Sequence, residues 1–277
     1  ALDYDTHQGI ATSIGHSPIS GLIDPEAASR LSIAEALTNI IWAPIKNGME
    51  GISLSANWMW ACKNQGEDAR LYQAVQACAD FAIELGINIP TGKDSLSMKQ
   101  KYPDQEVIAP GTVIISAAGH CTDIRKVIEP TLIADGGDIF YINMSFSDYQ
   151  LGGSSFAQVI SKIGQNAPDV SDANKFKAAF NVLQSLIQDN QIVAGHDVGS
   201  GGLITTLLEM TFAGINSGAE FRLDHLTETD SIKLLFAENV GIVFQTKFGQ
   251  EESIISAFND ISVPCVRIGK FKSGGTV

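Results

Sequence analysis

The stretch from Asp24 to Pro44 constrains the fold of this chain more than any other. Ala28, Leu31, Ile33, Ala34, Leu37, Ile40 and Ile41 recur at helical spacing, Asp24 suits an N-cap, Pro25 suits the first helical position and Pro44 is a stop. The period then switches. Gly51–Asn57 alternates like a strand, and Glu67–Leu85 is helical again and ends at Gly86. Ile87–Lys99 carries a loop and another strand, and Thr112–Ala117 reads as a buried strand. Polar residues with Pro130 and Gly136-Gly137 then suggest a domain boundary near residue 130. Beyond it the sequence predicts a strand at Asp138–Met144, helices at Phe156–Ile163 and Asn174–Asp189, and a short strand, Ile192–Ala194, leading into a glycine-rich turn. A helix at Leu203–Phe212, strands near Ala219–Leu223 and Val240–Thr246, a helix at Gln250–Phe258 and a strand at Cys265–Ile268 follow. Strands alternating with helices on both sides of the boundary imply an α/β (α+β) chain of two domains, 1–130 and 131–277.

Composition narrows the functional classes. The formal net charge of −13 repels a nucleic-acid backbone, yet an acidic protein can hold polyphosphate if carboxylates first recruit Mg²⁺. No apolar run approaches the roughly 20 residues of a membrane span, and the first residues lack the pattern of a signal peptide. Cys62, Cys78, Cys121 and Cys265 are scattered, which favours a reducing cytoplasm over zinc or a disulfide framework. Both ends, Leu2–Gly15 and Gly274-Gly275-Thr276-Val277, read as continuations of a longer chain.

Four stretches could carry chemistry. Glu35 and Asn39 lie four apart on one helix face and offer hard oxygens suited to Mg²⁺; a solvated polar stripe has the same spacing. In Ala194–Gly202, glycines permit close backbone approach to an anion, and Asp197 could complete a metal site with Glu35 and Asn39. A tight turn would need the same glycines, and His196 taken singly reads as a packing or hydrogen-bonding residue. Thr91–Lys99 clusters phosphate donors with one carboxylate. It is not a Walker A loop, because no glycine stands five residues before Gly92 and Asp94 occupies the place of the hydroxyl residue. Leu54–Trp60 sets Asn57 beside two tryptophans, as a pocket wall or as core.

In order and spacing these stretches resemble phosphoribosylformylglycinamidine synthase of the large single-chain type. The likeness is carried by Ser13-Ile14-Gly15, Leu22–Leu31 leading into Glu35–Asn39, Leu54–Met59, Gly66–Ala69, Pro90 with Gly92–Met98, and His196-Asp197 with Gly201-Gly202-Leu203. It implies a unit like aminoimidazole ribonucleotide synthetase, with an N-terminal sheet domain and a C-terminal α/β domain. This would be the second of two such repeats in an ATP-dependent ligase of purine biosynthesis. The first repeat and the glutaminase domain would be partners lying outside the chain. The resemblance further implies that Glu35, Asn39 and Asp197 bind Mg²⁺ at an ADP or ATP site, with another Asp ligand upstream. Asn57, Gly92, Lys93, Asp94, Ser95 and Ser97 would contact nucleotide or the ribonucleotide substrate. The family turn has a nucleotide-contacting Ser and an Asp where this chain has Gly199 and Ser200. No residue is implied as a covalent nucleophile. Since family members pair their N-terminal domains, an isolated copy is expected to form a homodimer.

Overall fold

A computed structural model describes residues 1–214 and 217–273. The terminal Gly274-Gly275-Thr276-Val277 therefore lies outside the described residues. In chain order the elements are β1 (Gly9–His16), α1 (Pro18–Ile23), α2 (Pro25–Ile40), β2 (Ile52–Met59), α3 (Glu67–Leu85), β3 (Asn88–Ser95), β4 (Lys99–Lys101), β5 (Glu106–Ile108) and β6 (Thr112–Cys121). Then come β7 (Gly136–Asn143), α4 (Ser155–Val159), α5 (Ala173–Gln188), β8 (Ile192–Val198), α6 (Gly202–Phe212), β9 (Ser217–Phe221), α7 (Ser231–Phe236), β10 (Gly241–Lys247), α8 (Glu251–Asp260) and β11 (Val266–Ser273).

The α2 helix starts as the sequence predicts, with the Asp24 side chain accepting from the Glu26 and Ala27 amides. It stops at Ile40 rather than at Pro44. A tight turn, Ala43 N–H to Ile40 C=O at 3.1 Å, takes over, since the residue before a proline avoids helical dihedrals. The first sheet has the order β1-β6-β2-β3, parallel only between β2 and β3. Alternate residues of its strands, among them Leu54, Ala56, Val113 and Ile115, join the core with α2 and α3. The opposite face leaves Ile10 63% and Ile14 58% exposed beside exposed Thr12, Ser116 and Ala118.

The second sheet has the order β8-β10-β7-β11-β9 and is antiparallel throughout. Phe140, Ile142 and Phe244 pack on one side with Phe176, Phe180 and Phe258 of α5 and α8. Ile139, Tyr141 and Val243 pack on the other side with Leu203 and Leu207 of α6. Both faces are covered, so β7 and β10 read as continuous apolar runs.

One core runs through both sheets, and several contacts tie the halves together. Phe81 of α3 meets Phe176 of α5 edge-on at 6.2 Å. Arg30 and Asp169 form a two-pronged ion pair with both N···O distances at 2.7 Å. The side chain of Gln184, only 2% exposed, accepts from the Ile45 N–H at 2.7 Å and donates to the Ile41 and Ala43 carbonyls at 2.5 and 3.0 Å.

The structure corrects four local expectations. The helix expected over Phe156–Ile163 spans only Ser155–Val159, because Ser161 turns left-handed (φ 57°) and the Lys162 N–H returns to the Ala157 carbonyl. The strand expected to end at Ala194 runs on to Val198, because pairing with β10 continues through Asp197↔Ile242. His196 and Asp197 are therefore strand residues ahead of the turn. Lys93, Asp94 and Ser95 are not in a loop but in β3, held by parallel pairing with β2. Finally, α7 and the β4–β5 hairpin arise in or beside stretches for which the sequence predicts no element.

Candidate functional site

Helix α2 presents Glu35 one turn before Asn39. Glu35 Oε2 accepts the His16 amide at 2.7 Å, and Asn39 Nδ2 donates to the Ile14 carbonyl at 3.2 Å. Both bonds need β1 to lie directly on the helix. Gly15 allows this, since a Cβ there would sit 2.2 Å from the Ser32 carbonyl oxygen and 2.4 Å from the Ala36 nitrogen. Burial holds the Glu35 carboxyl above the usual carboxylate range. The His16 amide pulls it back, while Asp197 and Glu238 push it up.

The strand β8 delivers Asp197, 9% exposed, to the same neighbourhood. A side chain on Gly199 would start in open space, its nearest neighbour being Asp197 Oδ2 at 3.8 Å. Gly201 and Gly202 are demanded by the backbone instead. Both have positive φ, and a Cβ on Gly202 would meet the Leu235 carbonyl oxygen at 2.7 Å and the Phe236 backbone at 2.8 Å. His196 is occupied on both ring nitrogens. Nδ1 lies 2.8 Å from the Asp197 carbonyl oxygen and Nε2 lies 3.1 Å from Glu209 Oε2. It ties β8 to α6 and is a hydrogen-bonding residue, as the sequence suggested.

Glu35, Gly199 and Ser200 line one cavity of about 50 Å³ with His16, Ser17 and Glu238. Sequence reasoning missed Glu238. Its Oε1 accepts the Ser155 and Gly201 amides, each at 2.7 Å. The only signal was a lone acid just ahead of the apolar β10 run, in Ala237-Glu238-Asn239-Val240. Glu35, Asp197 and Asn39 offer two carboxylates and an amide as hard-oxygen donors, and Asp197 and Glu238 add negative charge around the buried Glu35 carboxyl, but Asn39 and Asp197 stand outside the cavity lining. Among the described residues, however, no three His, Cys, Asp or Glu side chains stand close enough to hold a metal by themselves.

The second set of candidates lies along the sheet. His16, Ile114, Asn57 and Lys93 are cross-strand neighbours in one row over β1, β6, β2 and β3. Adjacent strands lie about 4.8 Å apart, so Lys93 is roughly 14 Å from His16. Lys93, Asp94 and Ser97 are exposed, and Lys93 Nζ donates to Ser95 Oγ. Gly92 serves packing, since a Cβ would stand 2.6 Å from the Ala56 carbonyl oxygen. Trp60 is core, 2% exposed, with Gly111 against its ring. Asn57 Oδ1 is buried without a hydrogen-bond partner, an acceptor waiting for a donor.

Comparison with known proteins agrees from end to end. Residues 1–120 match the family model for the FGAR-AT PurM_N-like domain, and residues 137–277 match that for the AIR synthase related protein, C-terminal domain. Phosphoribosylformylglycinamidine synthase of Homo sapiens is 36% identical over 99% of this chain and 20% of its own length. The probable chloroplastic/mitochondrial enzyme of Arabidopsis thaliana is 39% identical over 94% of this chain and 18% of its own. The chain thus spans about a fifth of the length of these relatives. Among solved structures, T. maritima PurL complexed with FGAR superposes with a TM-score of 0.79 at 14% identity, over 98% of this chain and 43% of that one. Thiamine-monophosphate kinase from Stenotrophomonas maltophilia K279a gives 0.61 at 11% identity, over 99% and 85%. These two likenesses bear on the fold, which is that of the PurL synthetases. The chain belongs to the AIR synthase related family, with an FGAR-AT PurM_N-like domain ahead of that family's C-terminal domain.

Proposed function

We propose that this chain is part of an ATP-dependent carbon–nitrogen ligase of purine biosynthesis, of the phosphoribosylformylglycinamidine synthase type. In this reading 1–130 and 131–277 are its two domains, and Glu35, Asn39 and Asp197 hold a Mg²⁺–nucleotide between them. The observation that carries the reading is the convergence of α2, β8 and the glycine turn on one acidic cavity. Nucleotide-bound PurL structures share the fold, which supports ATP or ADP as the nucleotide. A bound magnesium would neutralise phosphate charge there, which is largely an electrostatic and positioning task. The chain's part is to fix three oxygen donors; further oxygens would come from phosphate, water and the remainder of the protein.

Asn57, with its unpaired buried oxygen, and the exposed Lys93–Ser97 edge would face substrate at a site completed by the first repeat. The uncovered sheet face bearing Ile10 and Ile14 fits that repeat, or a second copy of this chain when it is alone in a reducing cytoplasm. Light scattering should then report a dimer, and a monomer at high concentration would reject the pairing. Purified alone, the chain should show no glutamine- or ammonia-dependent amidine formation. Turnover should appear when the remaining segments of a relative are supplied in trans. Turnover by the isolated chain would overturn the incomplete-ligase reading and favour a small, self-sufficient synthetase or kinase. Two observations favour a scaffold module without nucleotide: Gly199 offers no hydroxyl, and about 50 Å³ is far below the few hundred Å³ of a typical ligand pocket.

A further inference from the structure

We propose that Glu238 makes this cavity selective for metal-bound over metal-free polyphosphate while holding the glycine turn in place. The inference rests on the nucleotide-site reading above but stands on bonds that the chain makes by itself. Glu238 Oε1 takes the Gly201 amide, at the entrance to α6, and the Ser155 amide, at the start of α4. One carboxylate oxygen thereby fixes two segments that share no strand or helix.

The electrostatic consequence follows from which donors are taken. Amides at the start of a helix are what an incoming phosphate would use. At α6 the Gly201 amide already serves a carboxylate of this chain. Glu238 lines the same small cavity as Glu35, Gly199 and Ser200, and its charge is felt at Glu35. A bare polyphosphate entering here meets like charge and one donor fewer. A polyphosphate carrying Mg²⁺ presents positive charge to the same carboxylates and is attracted. Glu238 is therefore a positioning and specificity residue and touches no reacting atom.

Two substitutions separate the two roles. Glu238→Gln keeps an oxygen for both amides and removes the charge, whereas Glu238→Ala removes both. Amide hydrogen exchange should be slow at Ser155 and Gly201 in the native chain and in Glu238→Gln, and at least tenfold faster in Glu238→Ala. Titrated with pyrophosphate in the presence of a chelator, Glu238→Gln should bind at least fivefold more tightly than the native chain. Equal exchange in all three proteins, or no gain of metal-free pyrophosphate affinity in Glu238→Gln, would overturn the proposal. Both readouts need no nucleotide. Failure of the native chain to bind Mg²⁺–ADP would therefore count against the nucleotide reading alone.

Discussion

The cavity beside Glu35 draws on α2, β8, the glycine turn and the segment ahead of β10, whereas Asn57, Lys93, Asp94 and Ser95 come from two neighbouring strands of one sheet. The first region is half-buried, acidic and laced with bonds between segments far apart in sequence. The second is an exposed edge with one unpaired buried oxygen. A site assembled from distant segments depends on how the two sheets are joined. A site on one edge depends on whatever comes to cover it. Under the proposed reading, the chain would supply several donors of one site and a wall of another.

The contrast can be broken most severely at the joint between the sheets. Gln184→Ala would strand the Ile45 amide and the Ile41 and Ala43 carbonyls inside the core. The expected loss is about 4 kcal/mol in urea unfolding, with the Glu35 cavity disturbed before the β2–β3 edge. Unchanged stability would mean that the halves are held chiefly by apolar contact. Next in size is Gly202→Ala. Positive φ and a Cβ 2.7 Å from a backbone oxygen should cost about 3 kcal/mol, read as a lower urea midpoint. The smallest effects should come from Gly199→Ser and Lys93→Ala, each within about 0.5 kcal/mol of native stability. They sharpen the comparison through binding. Gly199→Ser adds a hydroxyl beside Asp197 and should tighten Mg²⁺–ADP, while Lys93→Ala should leave it unchanged. A weakening by Lys93→Ala would merge the two regions into one site.

Much of this was legible from residue order. The Asp24 cap, the Gly86 stop and the apolar periods of α2, α3 and α5 are local signals, and the structure keeps them. Glu35 was readable as a candidate because an acid within an apolar helix stands out, and Asp197 because it sits in a glycine-rich stretch. Glu238 was not, because its role rests on two backbone amides that only the tertiary fold brings to it. The length of β8 and the strand character of Lys93–Ser95 were hidden for the same reason. Pairing with β10 and β2 decides them, and a polar edge carries no period of its own. Gly199 stood apart in the sequence only as a departure from the family turn; the backbone adds that Gly201 and Gly202 need positive φ and Gly199 does not.

The joint holding of one magnesium–nucleotide by Glu35, Asn39 and Asp197 is tested most directly by calorimetric titration of Mg²⁺–ADP into the native chain and into Asp197→Ala. Asp197 should be responsible for at least tenfold of the affinity, about 1.4 kcal/mol, with the unfolding midpoint little changed. Equal affinity in the two proteins would contradict a site built on α2 and β8.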